Sequence, residues 1–343
     1  VMLVADDNEK GSEPDGLAWE HVRQTVVLDT REMPNHIDRV YVYLHTYPDG
    51  PNDTKPAAKA DILRNINGEG VVMWNYIGHG SPYKIADESV FLDSDAGTLT
   101  NVARPGVFVA ASCDVGKYND PSVQSLGERL VMNTGGGCLA VISATELAFS
   151  GQNAELNRVL YDLIFQRDTT ATSATYGQFF VGIAEALLGA KTGSTNNQKY
   201  QVMGDAGTSL ALPRLWVELT VRDAGGNPID TLRRGEIVRF DGRILDRPGG
   251  TVMPFTGATA ILIEDSAPID TTFDCTFCTR EPYPFRAAPM FRGDARVTNG
   301  TLTGQFVVPL DAVLGPRARL RGYTNGSAVG VGSGLDGAGG GGG

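Results

Sequence analysis

The first two-thirds of the chain alternates short apolar runs with longer segments in which apolar residues recur at helical spacing. Short apolar runs between turn residues predict buried strands, and apolar positions three or four apart predict amphipathic helices. We predict strands over residues 1–5, 39–44, 71–76, 107–111 and 138–143. We predict helices over residues 16–28, 55–66, 123–132, 154–165 and 177–188. Such alternation is typical of an α/β fold in which helices cover both faces of a parallel sheet.

The pattern changes after Pro213, where the helical spacing disappears and short alternating runs begin. We predict strands over residues 216–221, 236–240, 258–263, 303–308 and 317–323, separated by turn residues. These runs are typical of a small antiparallel β-sandwich. We therefore predict two domains, residues 1–212 and residues 213–329. The glycine-rich tail over residues 330–343 cannot form a core, and we expect it to be flexible.

Composition narrows the class of protein. A chain of 343 residues with 41% hydrophobic and 20% charged residues is typical of a globular protein with two domains. Its net charge of −11 argues against nucleic-acid binding, which needs a basic face. No segment approaches the ~20 apolar residues of a membrane span. The chain opens on a strand-like run without an initiator methionine, and we expect it to be a piece of a longer precursor.

Two of the predicted strands end at reactive side chains. Strand 71–76 continues into Gly78-His79-Gly80, and strand 107–111 continues into Ser112-Cys113-Asp114. If the two strands are parallel neighbours, their carboxyl ends lie side by side, where open α/β sheets place ligand sites. His79 would then face Cys113, and a histidine can hold a cysteine as its thiolate near neutral pH.

Each of these residues alone has a simpler explanation. A single cysteine after an apolar strand is usually a buried small hydrophobe, and a single His-Gly is usually a turn. Their occurrence at consecutive strand ends, with Gly80 leaving a backbone N–H beside the histidine, is harder to explain by packing. The pair therefore predicts a Cys/His peptidase.

The other cysteines give no catalytic signal. Cys138 lies in an apolar run and is expected in the core. Cys275 and Cys278 form a C-x-x-C in the β-rich region, whereas every histidine lies before residue 80. Because a zinc site needs further ligands at ordered spacing, a local disulfide is the more plausible interpretation. A disulfide would fit an oxidising extracellular setting.

No cofactor is required by the predicted chemistry. Gly135-Gly136-Gly137 precedes a strand, whereas glycines that cradle phosphate follow a strand and open a helix. We therefore predict no nucleotide site and no catalytic metal. The acidic loops at residues 49–53 and 93–95 could hold calcium as a structural ion, although neither has a complete calcium-loop spacing.

Several ordered motifs in residues 1–212 resemble the gingipain-type cysteine peptidases, the C25 family of the caspase-like clan. The motifs are the strand entering Ala5-Asp6-Asp7, the segment 75–81, the strand end at Cys113, the segment 136–145 and Val202-Met203-Gly204-Asp205. The closer likeness within the family is to the PorU-like sortases of type IX secretion, through the segments 118–121, 126–128 and 136–142. The resemblance implies a caspase-like parallel-sheet α/β/α catalytic domain followed by an immunoglobulin-like β-sandwich.

The resemblance also assigns roles by position. It implies that Cys113 is the nucleophile and His79 the general base, with the backbone N–H groups of Gly80 and Cys113 as the oxyanion hole. Family members keep an acid at the end of the first strand that orients the histidine. Asp7 falls at that position, next to Asp6, where the gingipains have a longer glutamate.

The positions implied for substrate binding follow two loops. Arginine-specific members place an aspartate downstream of the orienting acid, and Glu13 and Asp15 are the candidates here. By position in the fold, Ser143, Thr145 and Glu146 would line the S1 side, where Glu146 would bind a basic P1 residue. Gly204-Asp205-Ala206 departs from the family's usual Gly-Asp-Pro, at a structural segment.

The resemblance implies a cysteine endopeptidase that is extracellular or attached to the outer membrane at the bacterial cell surface. Its partners would be protein or peptide substrates, including C-terminal sorting domains of secreted cargo and other type IX secretion components. The acyl acceptor stays open, because water gives hydrolysis and an amine gives transpeptidation.

Two alternatives to a peptidase remain. A catalytically silent relative acting as a surface binding or scaffold module predicts that His79 and Cys113 never lie within hydrogen-bonding distance. An amidase or acyltransferase of the Cys/His type would modify small amides.

Overall fold

The computed structural model describes residues 1–10, 13–14, 19–173, 175–179, 181–270, 283–284, 287–328 and 340–342. The strands up to residue 204 are β1 Met2–Ala5, β2 Glu9–Lys10, β3 Glu13–Pro14, β4 Val40–Tyr43, β5 Met73–Ile77, β6 Gly80–Ser81, β7 Lys84–Ile85, β8 Phe91–Leu92, β9 Gly106–Ala111, β10 Cys138–Ala144 and β11 Tyr200–Gly204. The helices are α1 Glu20–Val27, α2 Pro56–Asn67, α3 Leu126–Met132, α4 Ser150–Ile164, α5 Ile183–Ala190 and α6 Thr195–Gln198. Shorter helical segments are Leu28–Glu32, Leu44–Thr46, Pro51–Asp53 and Asp93–Thr98.

A six-stranded sheet organises this part of the chain, in the order β11-β10-β9-β5-β1-β4. Within this sheet β1, β4, β5, β9 and β10 pair in parallel, as predicted, and β11 pairs antiparallel with β10. The prediction of a wholly parallel sheet was therefore wrong at one edge. The run 200–204 mixes polar and apolar residues and is only partly buried, which suits an edge strand but gives a weak strand signal.

Helices cover both faces of the sheet, and each face has its own core. All residues of β1, β5 and β9 are buried, as expected for strands enclosed on two sides. One core contains side chains from α1, α4 and α5, and the other contains side chains from α2 and α3. In the second core, the rings of Trp74 and Phe108 stack with centroids 3.8 Å apart on neighbouring strands.

Two predicted helix starts differ from the structure for local reasons. α3 begins at Leu126 because Ser125 and Glu128 form a capping box, in which each side chain accepts the other's backbone N–H. α5 begins at Ile183 and not at residue 177. Gly177 has a φ of 80°, in the left-handed region, and the chain turns there before the helix starts.

The remainder of the described chain is built from antiparallel strands. They are β12 Trp216–Arg222, β13 Ile237–Leu245, β14 Phe255–Glu264, β15 Ile269–Asp270, β16 Tyr283–Pro284, β17 Pro289–Val297, β18 Thr301–Val307, β19 Arg319–Ala328 and β20 Gly340–Gly342. One sheet has the order β12-β13-β18 and another has the order β17-β14-β19-β20. Side chains of both sheets, including Val217, Phe240, Ile261 and Val297, share one core. β17 was not among the predicted strands.

Some predictions fall outside the described residues. These are the disulfide between Cys275 and Cys278 and most of the predicted flexible tail. Gly340–Gly342 are described, and they pair with β19. Among the described residues, none of the helices is long and apolar enough to span a membrane.

A buried ion pair secures the sheet at its β4 edge. Arg39 and Asp29 contact each other with side chains that are each 3% exposed. Arg39 Nη2 also donates to Met33 O at 2.9 Å, and the Tyr41 hydroxyl donates to Asp29 Oδ2 at 2.8 Å. The pair therefore joins the helical segment after α1 to the edge strand.

We expect Arg39→Met to lower the free energy of unfolding by about 3–5 kcal/mol, because the change leaves the Asp29 carboxylate buried without its cation. Urea unfolding followed by circular dichroism measures the change. Arg31→Met is the matched control, since Arg31 is exposed, and we expect it to change stability by less than about 0.5 kcal/mol. Equal effects of the two substitutions on stability would contradict the stabilising role of the Arg39–Asp29 ion pair.

Candidate active site

The pairing of β5 with β9 brings His79 and Cys113 to one edge of the sheet. Ile77 lies opposite Ala111 in the parallel register, and each candidate residue follows its strand partner by two positions. The Gly78 N–H donates to Ala111 O at 3.5 Å, which continues the pairing beyond the strands. Parallel neighbours at the carboxyl ends of strands form the usual ligand-binding edge of an open α/β sheet.

Gly80 lets the two strand ends pack against each other. A Cβ atom placed on Gly80 would lie 2.2 Å from Ser112 Oγ and 3.1 Å from Cys113 O. Any larger residue would push the histidine loop away from the cysteine loop. A glycine is therefore required here for close approach. Its own N–H is one of the two that the family resemblance assigns to the oxyanion hole.

The Cys113 thiol contacts the loop after β10. Its Sγ donates to Ala148 O and accepts the Ala148 N–H, both at 3.3 Å. It makes no hydrogen bond with His79, and the Cys113 N–H has no hydrogen-bond partner in the part of the chain that the structure describes. Asp114 follows with a φ of 54°, a left-handed turn that directs the chain away from the sheet edge.

Asp6 positions the histidine loop. Its Oδ2 accepts the backbone N–H of His79 at 2.8 Å. The Tyr76 hydroxyl lies 3.0 Å from the same oxygen and 2.5 Å from His79 O. Asp6 is 1% exposed. Burial raises its pKa, while the hydrogen bond from the His79 N–H and the nearby imidazole oppose that rise.

Asp7 lies in an ion pair with a lysine, and the orienting role predicted for it stays a prediction. Its Oδ2 lies 3.1 Å from Lys55 Nζ, and Lys55 Nζ also lies 2.6 Å from Asp49 Oδ1. Successive side chains of an extended segment point to opposite sides, and the phase of β1 turns Asp6 toward His79 and Asp7 toward α2. The carboxylate next to the histidine is therefore Asp6.

A third buried carboxyl group lies beside these two. Carboxylate oxygens of Asp6, Asp7 and Glu88 all lie within 4.8 Å of one another. Burial, reinforced by the neighbouring negative charges, raises the pKa of Glu88 to about 8. Glu88 and Lys55 were not predicted as site residues, because nothing in their local sequence marks them as neighbours of the first strand.

His21 is a second histidine at the site that the sequence did not indicate. It lies in α1 and is 4% exposed, and its ring meets the His79 ring edge to face, with centroids 5.3 Å apart. Its backbone N–H donates to Asn8 Oδ1 at 3.2 Å. Only the docking of α1 against the end of β1 brings it here, and no motif spacing links residues 21 and 79.

The candidate substrate-binding residues lie in different environments. Ser143 is fully buried, and the Thr145 hydroxyl donates to Lys199 O at 3.2 Å. Neither side chain therefore faces an open surface, whereas Glu146 is exposed. Asp15 lies outside the described residues.

The loop that holds the thiol also presents apolar side chains. Leu147 is 72% exposed and Phe149 is 66% exposed, on either side of Ala148. With Glu146 they form a surface directly beside Cys113. This surface was missed from the sequence, because a short apolar run after a strand is usually read as core.

The acidic loops considered for calcium are occupied by ion pairs. Asp49 contacts Lys55, Asp95 contacts Lys59 at 2.7 Å, and Asp93 contacts Arg129 at 3.1 Å. A calcium ion at either loop would have to displace these cations, and the described residues therefore fit a calcium site poorly.

We expect alkylation of the native protein at pH 8 to modify Cys113 and to spare Cys138. Burial raises the pKa of the Cys138 thiol to about 12, and a hydrogen bond of 3.4 Å from Trp74 Nε1 opposes this rise. Only about 10⁻⁴ of it is then thiolate, the form that reacts. Mass mapping after iodoacetamide treatment measures both peptides, and the unfolded protein is the control in which both react. Equal labelling of the two peptides in the native protein would contradict this expectation.

Comparison with known proteins gives one family. The model of peptidase family C25 matches residues 1–211. None of the curated proteins compared with the chain matches it.

Solved structures that are similar to the chain include two of gingipains and one of PorU. Gingipain R, an Arg-specific cysteine proteinase, is 14% identical, with a TM-score of 0.46, 94% of this chain covered and 63% of that chain. The complex of Porphyromonas gingivalis RgpB pro- and mature domains is 14% identical, with a TM-score of 0.46 and coverages of 98% and 66%. Dimeric latent PorU from Porphyromonas gingivalis is 19% identical, with a TM-score of 0.31 and coverages of 55% and 18%. This chain spans less than two thirds of the length of either gingipain structure. Because the family model matches more than half of its 343 residues, the chain belongs to the cysteine peptidase family C25.

Proposed function

We propose that this peptidase is a cysteine endopeptidase with Cys113 as nucleophile and His79 as general base. The observation that carries the proposal is the register of β5 and β9, which ends both strands at the same level and sets the two residues on adjacent loops. The absence of a side chain on Gly80 permits the close approach of these loops at the Ser112–Cys113 segment. Acyl transfer by a cysteine needs an imidazole within hydrogen-bond reach of the thiol, and loops that leave the sheet at the same level can bring the two side chains together.

In the proposed reaction, the Cys113 thiolate attacks the scissile carbonyl carbon and forms a C–S bond. The N–H groups of Cys113 and Gly80 bind the oxyanion, and one such donor contributes about 10²–10³ in rate in comparable sites. The His79 imidazolium protonates the leaving amine as the C–N bond breaks, leaving a thioester. Water or an amine then attacks the thioester carbonyl carbon while His79 accepts its proton, and the C–S bond breaks to release the acyl product and restore the Cys113 thiolate.

The thiol must leave its resting contact for this reaction. In the structure Sγ bonds the backbone of Ala148, and these two hydrogen bonds must break before the thiol can pair with His79. Catalytic hydrogen bonds are often long or absent before substrate binds, and they form in the complex. A substrate strand that takes the Ala148 N–H and C=O would release the thiol.

We propose Asp6 as the residue that positions His79, in place of Asp7. Asp6 holds the backbone of the histidine loop directly and shares the Tyr76 hydroxyl with it. Asp7, with Lys55, ties the end of β1 to α2. Asp6 therefore acts on the general base, and Asp7 acts on the stability of the strand end.

For substrate recognition we propose the surface formed by Glu146, Leu147 and Phe149. The exposed carboxylate of Glu146 would pair with a basic P1 side chain, and the two apolar side chains would contact neighbouring substrate positions. Asp15 stays a second candidate for the P1 pocket. The substrates are proteins or peptides, and no cofactor is needed.

The wider role is also a proposal. The resemblance of the segments 118–121, 126–128 and 136–142 to the PorU-like sortases supports an enzyme that removes C-terminal sorting signals from secreted cargo at the bacterial cell surface, by hydrolysis or transpeptidation. We further propose that residues 1–212 are the peptidase domain and that residues 213–329 are an immunoglobulin-like domain. Two antiparallel sheets around one core support the second assignment.

A catalytically silent scaffold is the second candidate function, and one observation favours it. The thiol of Cys113 bonds Ala148 and not His79, as expected if the two residues never act together. The two candidates differ in whether an electrophile that mimics substrate captures Cys113.

We expect a peptidyl acyloxymethyl ketone to form one adduct on Cys113, fastest when its P1 residue is basic. His79→Ala should slow the labelling by about 10²-fold or more, and Cys113→Ala should abolish it. Intact mass against time, for inhibitors with basic, acidic and apolar P1 residues, measures the rates. His36→Ala and Cys138→Ala are the matched controls. Labelling that is slow, insensitive to P1 and unchanged in His79→Ala would establish the scaffold instead.

We expect Asp6→Asn to change mainly the rate of inhibitor labelling, and Asp7→Asn to change mainly the stability of the protein. Asp6→Asn should lower the rate of inhibitor labelling by about 10-fold or more, because the amide positions the general base less well. Asp7→Asn should lower the melting temperature with little change in rate, because it leaves Lys55 without its buried partner. Labelling kinetics and thermal unfolding of both variants provide the measurement. A larger loss of rate in Asp7→Asn would return the positioning role to Asp7.

A further inference from the structure

Three side chains of metal-binding type lie close together, and one of them is the candidate general base His79. One ligand atom from each of Asp6, His21 and His79 lies within 4.8 Å of the other two. The three residues come from the end of β1, from α1 and from the loop after β5. Two imidazole nitrogens with one carboxylate oxygen are a ligand set that zinc binds in proteins.

The surroundings hold the Asp6 side chain and the His21 backbone in place. The Asp6 carboxylate accepts N–H groups from His79 and Asn8 and lies beside the Tyr76 hydroxyl. The backbone of His21 donates to Asn8 Oδ1 and accepts from the Thr25 hydroxyl at 2.8 Å. Hydrogen bonds to a ligating carboxylate, such as those to Asp6, orient the ligand and raise the affinity for metal.

The spacing suits a small ion with nitrogen ligands. Ligands about 2.0–2.2 Å from a tetrahedral zinc ion lie roughly 3.4 Å from one another. Small rotations of the three side chains would close the observed separations to that value. Calcium and magnesium prefer shells of oxygen ligands, and two imidazoles disfavour them.

We propose that Asp6, His21 and His79 bind a zinc ion that inhibits the peptidase. The inhibitory part of this inference rests on the proposed function of His79, whereas the binding part does not. A metal bound to the imidazole occupies the lone pair that accepts the proton from Cys113 or from water. It also adds positive charge beside Asp6, the group that positions the histidine.

Cys113 lies outside the proposed ligand set. Its thiol is bonded to both the N–H and the C=O of Ala148, on the side of the loop after β10. The proposed ion therefore coordinates one member of the catalytic pair and leaves the other. Three protein ligands leave a fourth position for water, as in open zinc sites.

Direct binding tests the site without any activity. The chain, freed of metal with EDTA, is titrated with ZnCl₂ by calorimetry, and then with CoCl₂, whose visible spectrum reports ligand type. We expect wild type and the control His36→Ala to bind one equivalent. His21→Ala should bind that equivalent at least about 10-fold more weakly, because a ligand is lost and not merely its support.

Two results would overturn the site. One is an unchanged zinc affinity in His21→Ala. The other is a thiolate-to-cobalt charge-transfer band that accounts for the whole of the bound metal, since it would place the ion on cysteines. Because neither readout involves substrate, a protein that proves inactive can still confirm or overturn the binding.

The inhibitory part is tested by inhibitor labelling of Cys113 with and without zinc. In wild type and in His36→Ala, labelling without zinc should be more than about 10-fold faster than labelling with zinc. In His21→Ala the two rates should become nearly equal. EDTA should restore the rate. If zinc binds at the His21 site without changing the labelling rate, the inhibitory part of the proposal is overturned and the binding part stands.

Discussion

The parallel register of β1, β5 and β9 is the constraint on which the rest of the site depends. These strands are buried along their whole length, and they pair so that Ala5 lies opposite Ile77 and Ile77 lies opposite Ala111. Three backbones therefore leave the sheet at one level. A slip of one residue in any strand would turn its side chains to the opposite face, which both cores forbid. The burial of apolar side chains thus fixes where the polar residues after each strand begin.

Polar groups at these strand ends lie where water is largely excluded, and the structure pairs them with one another. Asp6 accepts the N–H of His79, and Lys55 lies between Asp7 and Asp49. In the sheet itself, Asn75 Oδ1 accepts the amide of Asn157 at 2.8 Å. A buried polar group without a partner costs about 1–3 kcal/mol, and these pairings are therefore conditions for the strand ends to be buried at all. The same hydrogen bonds that stabilise the fold determine where the histidine backbone lies.

Sequence predicts the parts of this arrangement that depend on local pattern. The buried strands show as continuous apolar runs, and two reactive residues at consecutive strand ends indicate a shared edge. The edge strand β11 shows no such run, because only its first residue, Tyr200, is fully buried. The choice between Asp6 and Asp7 depends on the phase of β1 relative to its neighbours, which no single strand encodes. His21 and Lys55 reach the site through the docking of α1 and of the α2 N-terminus, and their positions follow from tertiary packing alone.

The position of His79 gives the site two competing arrangements. One ring nitrogen lies within reach of Asp6 and His21, whereas the thiol of Cys113 is bonded to Ala148. At rest the thiol is thus bonded to another partner, and the imidazole lies within 4.8 Å of two other ligand atoms. A substrate strand that takes over the Ala148 backbone would free the thiol, and a metal ion behind the histidine would retain the imidazole. Since one imidazole lone pair cannot bind a metal and accept a proton together, the two ligands would compete through His79 without touching each other.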